Sequence, residues 1–462
     1  MQSLARFLLA AAASGVLFSS CPLAASAPDA PSAPQTQTFE TRLDNGMKVI
    51  VREDRRAPSV VHMVWYGVGS MDEPPGLTGI SHMLEHAMFK GTANIPAGEF
   101  SRRIAQMGGR ENAFTSHDYT AYFQQIPPAE LGKAMALEAD RMSNLQVSDE
   151  LFLPERDVVA EERRMRTEDN PHALLFEQLM ATAYQSHPYH HPIIGWMDDI
   201  RHYTAQAALD WYRTWYAPNN ATLVVVGDVA HADVFALARQ HYGAAKSRPL
   251  PTRRVQEEAP QRGAREVRVR APAALPVLYL AWPAPVIRDV HDAKDAYALE
   301  MLAAILDGSE GARLPRKLVR ATGMAVSAST HYSNISRGPG LFIFSAAPTP
   351  EHNTEELARA FLDEIAEIAE NGVSAEELQR ALTQATAQQV YKRDSLMGQA
   401  MEIGVLESTG HRWQDDAALL AGLTRVTSED VQAVARRYFS PEQMNRAELI
   451  PDQEAAEKAP QS

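Results

Sequence analysis

Cysteine is almost absent from this sequence. The only one among 462 residues is Cys21, so no disulfide within the chain is available to hold the fold. No apolar run beyond the N-terminal segment is long enough to span a bilayer, and no transmembrane helix is expected. Basic clusters are missing as well. Lys and Arg number 44 against 58 Asp and Glu, a net charge of −14, which lacks the basic face that phosphate backbones require and excludes nucleic acid as a partner. What is left is an ordinary globular balance of 45% hydrophobic and 22% charged residues, in a chain too long for one core.

Residues 1–27 have the layout of an export signal: a positive charge at Arg6, an apolar stretch from Phe7 to Phe18, and the small-residue cleavage site Ala25-Ser26-Ala27. The expected location is therefore the periplasm or another exported compartment. The run Leu17-Phe18-Ser19-Ser20-Cys21 also resembles a lipoprotein box, but Phe18 stands where leucine is usual, so export without a lipid anchor at Cys21 is preferred. Residues 28–37, rich in Pro, Ala, Ser and Gln, have the composition of a disordered leader.

The rest of the chain is a diverged internal duplication. A helical stretch over 128–144 is followed by Gln146-Val147-Ser148-Asp149-Glu150 and a second helical stretch through Met165. A helical stretch over 354–371 is followed by Gly372-Val373-Ser374-Ala375-Glu376 and a helix through Val390. The endings match too: Trp215-Tyr216-Ala217-Pro218-Asn219 precedes one strand as Tyr438-Phe439-Ser440-Pro441-Glu442 precedes another. Apolar runs at 48–52, 60–66, 120–125 and 222–226 have strand character between amphipathic helices. The fold class is α+β, with two homologous domains, each a mainly antiparallel sheet packed with helices. The boundaries expected are an N-terminal domain at 38–249, a polar linker at 250–270, a C-terminal domain at 271–453 and a disordered tail at 454–462.

The segment His82-Met83-Leu84-Glu85-His86 carries the chemistry. On a helix His82 and His86 stand one turn apart on one face and can reach one metal ion, while Glu85, at i+3 from His82, can sit beside them without being a ligand. This order, H-x-x-E-H, is the inverzincin signature of zinc peptidases. Two histidines leave a catalytic zinc site one protein ligand short. The segment from Glu155 to Arg164 is the source of the third. Helix spacing puts Glu155, Val158, Val159 and Glu162 along an inward stripe, and an inward carboxylate needs a cation. Geometry alone leaves Glu162 and Glu161 as rivals.

At this point the chain resembles the pitrilysin/insulinase family of zinc metallopeptidases, close to the bacterial branch related to the mitochondrial processing peptidase. The resemblance rests on Leu43-Asp44-Asn45-Gly46, Gly67-Val68-Gly69-Ser70, the motif from His82 to Thr92, and the stretches from Glu111 to Tyr122, Glu155 to Glu162 and Tyr216 to Asp228. It implies one zinc ion per chain, held by His82, His86 and Glu162, with Glu85 as general base and Glu155 as a carboxylate that orients a histidine. Taken alone, Asn112-Ala113-Phe114-Thr115-Ser116 is an ordinary core strand. The resemblance makes it an exposed edge on which an extended peptide or unfolded segment is bound as an added strand. The histidine-rich run His187-Pro188-Tyr189-His190-His191 is broken by prolines and is read as a loop without metal.

The chain departs from the family in its second half. Self-sufficient members carry there an arginine followed seven residues later by a tyrosine. The matching positions here hold Val319 and Val326, with Arg320 and Tyr332 nearby but off register. Gln388 stands opposite Glu162 in the repeat, so no second zinc site is expected. The expectation is an exported zinc endopeptidase whose homologous partner subunit supplies the arginine and tyrosine. The alternatives are a non-catalytic structural or assembly subunit of the same fold, and a zinc hydrolase of non-peptide amides.

Overall fold

The computed structural model describes residues 36–254 and 256–452. The proposed export signal with Cys21, the leader up to residue 35 and residues 453–462 lie outside the described residues. Gln37, read above as the end of the leader, opens the first strand.

Six strands form the first sheet: β1 (Gln37–Arg42), β2 (Lys48–Glu53), β3 (Val60–Tyr66), β4 (Arg110–Thr115), β5 (Thr120–Ile126) and β6 (Ala221–Gly227), in the spatial order β1-β2-β6-β3-β5-β4. Five form the second: β7 (Arg265–Ala271), β8 (Val277–Ala284), β9 (Ala325–Tyr332), β10 (Gly340–Pro348) and β11 (Asn445–Pro451), ordered β7-β11-β8-β10-β9. Without β1 the two orders are the same, strand for strand. Each also has one parallel pair, β2 with β6 and β7 with β11, and is otherwise antiparallel. The duplication in the sequence is thus a duplication of topology. The matched segments after residues 147 and 373 act alike: Ser148 and Ser374 cap the helices Asp149–Arg163 and Ala375–Asp394 by accepting a backbone N–H with their hydroxyls.

Most of β7 lies within 250–270, the stretch read as linker. Its charges alternate with Val267, Val269 and Ala271, which pack on the second sheet's core, so a polar composition concealed a period of two. The connecting segment therefore ends by residue 264.

The halves interlock by exchanging helices. The helix Pro171–Ala183, from the first half, lays Leu175, Leu179 and Ala183 against Ala281, Ile343 and Leu449 of the second sheet. In return the helix Leu396–Ser408 lays Ala400 and Ile403 against Met63, Trp65 and Val224 of the first sheet. Both faces of β3 are consequently covered, which is why all seven of its residues are buried. Gly404 permits the approach: a Cβ there would stand 1.9 Å from Cε2 of Trp65.

Candidate metal centre

The helix Ile80–Ala87 begins at Gly79, whose φ of +86° and closeness to the Ile194 carbonyl leave no room for a side chain. The Glu73 carboxylate accepts from the backbone N–H groups of Gly79 (2.6 Å) and Ser81 (2.8 Å), occupying donors that a helix start leaves free. Met83, Leu84 and Ala87 face the core, and this fixes the rotation that brings His82 and His86 out on one side.

Opposite them runs the helix Asp149–Arg163. Nε2 of His86 lies 3.2 Å from Oε2 of Glu162, and Nε2 of His82 lies 3.8 Å from Oε1. Nδ1 of His86 is 2.9 Å from Oε1 of Glu155, which also pairs with Lys90. Glu161 points away and pairs with Arg164 on the surface. Val158, read as inward, is 50% exposed while Val159 is fully buried. The glutamates therefore stand at the rim of the buried face, where they reach the histidines without being sealed in.

Among the described residues, the groups of three or more His, Cys, Asp or Glu that could hold a metal reduce to His82, His86 and Glu162, with ligand atoms within 4.8 Å of one another. Zinc bonds of about 2.0–2.2 Å put tetrahedral ligand atoms about 3.4 Å apart, close to the separations found here, so the set fits zinc. Burial beside His86 pushes His82 down to about 4, and its Nδ1 is buried without a hydrogen-bond partner among the described residues. Burial also opposes the charge on His86, but Glu155 and Glu162 outweigh it and hold that imidazole at about 9. A metal cation would take up both carboxylates' demand for positive charge and leave the imidazoles neutral.

Glu85 is next to this group without joining it. Burial raises its pKa, and the Thr115 hydroxyl, donating to Oε2 at 2.6 Å, opposes the rise. Thr115 ends β4, which pairs with β5 alone and so forms an edge of the sheet. Asn112, Ala113, Phe114 and Thr115 line the same cavity, of about 670 Å³, as the two histidines, Glu85 and Glu162. Phe176, Met180 and Ile193 add apolar lining to the same cavity.

Sequence reasoning missed Arg166. It lies in the π-helical turn Arg164–Glu168, lines the cavity and pairs with Oε1 of Glu162 at 2.6 Å. Its place four residues after Glu162 was the available signal. The run His187–His191 forms a 3-10 turn whose Tyr189, His190 and His191 belong to the cavity wall. Residues 265–452 contribute nothing to that lining. Val326 is exposed on β9, Arg320 pairs with Glu310, and the Tyr332 hydroxyl donates to the Pro285 carbonyl.

The chain is 35% identical over 343 residues to the zinc protease PqqE of Helicobacter pylori, a match covering 73% of this chain and 76% of that one. It belongs to the M16, or insulinase, family of peptidases. Residues 48–196 match the insulinase family (peptidase family M16) and residues 202–385 match the peptidase M16 inactive domain, so the centre described above falls in the first of these. An uncharacterized zinc protease of Streptomyces coelicolor is 28% identical over 405 residues, 86% of each chain. Among solved structures, a protease from Helicobacter pylori superposes with a TM-score of 0.85 at 31% identity, covering 90% of this chain and all of that one. The periplasmic protease PqqL from Escherichia coli shares the fold, with a TM-score of 0.77 at 19% identity over 94% of this chain and 49% of that one. The two-sheet α+β fold is thus that of M16-like peptidases. No helix among the described residues is long and apolar enough to cross a membrane.

Proposed function

We propose that the chain is an exported zinc endopeptidase that hydrolyses peptides or unfolded segments as the catalytic half of a heterodimer. The observation that carries the reading is the meeting of His82, His86 and Glu162 beside Glu85 in a cavity bordered by an edge strand. His82, His86 and Glu162 would hold the metal. A zinc ion held there would supply Lewis acidity toward a water and the scissile carbonyl.

The chain's own groups do the rest. Thr115 holds Oε2 of Glu85, leaving Oε1 to take the proton from the attacking water and return it to the nitrogen of the departing amine. Glu155 acts through His86: by accepting from Nδ1–H it fixes the ring so that Nε2 faces Glu162. The free edge of β4 offers backbone donors and acceptors to an extended substrate, which favours unfolded segments over folded ones. Export is supported by the composition of residues 1–27.

The partner is inferred from what the cavity lacks. Val319 and Val326 cannot donate to a developing oxyanion, and no described residue of the second half lines the cavity. The same valines favour a second reading, a non-catalytic subunit. Elemental analysis together with digestion of a denatured protein, by the chain alone and with homologous partners, tests both. One zinc per chain and activity with a partner support the proposal, and a chain without zinc or activity in any mixture leaves the second reading.

A further inference from the structure

In a chain with a net charge of −14, the seam between the halves gathers cations. Arg253 lies on the connecting segment, Arg288 follows β8 and Arg337 precedes β10. With Arg42 and Lys48 of the first half they line a cavity of about 500 Å³. The cavity is separate from the metal centre and shares none of its lining residues.

The charges there do not balance. Nε of Arg253 and Nη2 of Arg337 both donate to Oδ1 of Asp72, each at 2.9 Å, and Nη1 of Arg337 reaches Oδ2 at 2.8 Å. Two guanidinium groups thus share one carboxylate oxygen. Arg288 donates only to the carbonyls of Ser336 (2.9 Å) and Gly338 (3.0 Å), and Arg42 only to that of Gly46 (2.8 Å). Lys48 is neutralised by Glu407 and Glu40. Five cations therefore meet four carboxylates, Asp72, Glu40, Glu407 and, behind Arg337, Asp118, and neither Arg288 nor Arg42 is paired with any of them. The indole of Trp65, 1% exposed, borders the same cavity, but its N–H is turned to the packing contact at Gly404 and is not counted among the cavity's donors. The guanidinium N–H groups beyond these contacts are donors, and the component that would complement them is an acceptor bearing negative charge. Guanidinium forks match the planar or tetrahedral oxygens of such a group, and a bound anion would relieve the repulsion between the arginines on Asp72.

We propose that Arg253, Arg288 and Arg337 bind a small multivalent oxyanion, a phosphate or a polycarboxylate, across the seam between the two halves. The test is isothermal titration of the full chain with inorganic phosphate, tripolyphosphate and citrate at fixed ionic strength, repeated on Arg288→Gln and Arg253→Gln. Arg288 touches no carboxylate, so its loss leaves the Asp72 contacts standing; should that variant fail to fold, Arg253→Gln decides. Saturable binding that weakens at least tenfold in the variants is expected. Tighter tripolyphosphate than citrate assigns the site to phosphates, and the reverse assigns it to carboxylates. Absence of saturable binding by all three anions overturns the proposal, as does equal binding by wild type and variants, since that would place the anion on the metal or elsewhere.

Discussion

Nδ1 of His86 and Oε1 of Glu155 stand 2.9 Å apart, so one carboxylate orients the ring whose other nitrogen faces Glu162. Glu155→Gln keeps the shape of that contact and removes its charge. Zinc affinity is expected to fall by roughly 10- to 100-fold, the usual effect of losing a carboxylate behind a metal-binding histidine. Competition with a chromophoric chelator measures it. Unchanged affinity would mean that Glu155 serves only its ion pair with Lys90.

In the proposed mechanism Glu85 moves a proton and holds no metal. Glu85→Gln should retain zinc while turnover drops by about a hundredfold or more. Its partner supplies a finer check. Thr115 donates to Glu85 and so favours the carboxylate, whereas burial favours the neutral acid. Thr115→Val removes the donor, and the pKa of Glu85 rises further. Because the base must be ionised to act, the acid limb of kcat/KM should move to higher pH. A limb that stays in place while only kcat falls would show that Thr115 positions substrate instead.

The motif His82-x-x-Glu85-His86 was legible because its geometry is local: one helical turn fixes which side chains share a face. Glu162 was harder. Its rival Glu161 is adjacent, and the choice depends on where the buried face of the helix ends, which is set by packing on the helix Ile80–Ala87 more than 60 residues away. The sequence placed Val158 inward, and it lies at the open rim. The exchange of helices was beyond local patterning altogether. Leu175, Leu179, Ala400 and Ile403 mark apolar faces, but a face does not say which sheet covers it, and each of these packs on the other half. The continuous burial of β3 was the trace it left in the sequence.

That exchange makes Gly404 a sensitive position. A methyl group there would overlap the Trp65 ring, forcing the helix Leu396–Ser408 off the first sheet. Gly404→Ala should destabilise by about 1–3 kcal/mol, the usual cost of overpacking. Gly311, in open surroundings, is the control: Gly311→Ala should leave the thermal midpoint nearly unchanged. Equal midpoints for the two variants would mean that the helix has slack against Trp65.

A developing oxyanion needs donors, and removing one typically costs roughly 2.7–4 kcal/mol, or 100- to 1000-fold in kcat. Val319 packs on the core of the second half and Val326 faces outward from β9, so neither donates. Their polar neighbours are engaged elsewhere: Arg320 with Glu310, and Tyr332 with the Pro285 carbonyl while stacked on Phe342. Among the described residues Arg166 is the only Lys or Arg lining the cavity, and it is paired with Glu162. The purified chain should therefore degrade a denatured protein slowly, and a partner of the same fold that brings its own arginine and tyrosine should raise kcat by about two orders of magnitude or more. Arg320→Ala and Tyr332→Phe should leave that stimulated rate within about twofold of wild type, because those groups act within the second domain and not on substrate. Rapid digestion by the chain alone, lost in either variant, would instead make the chain self-sufficient and require the π-helical turn Pro315–Ala321, or the end of β9, to swing into the metal cavity during turnover.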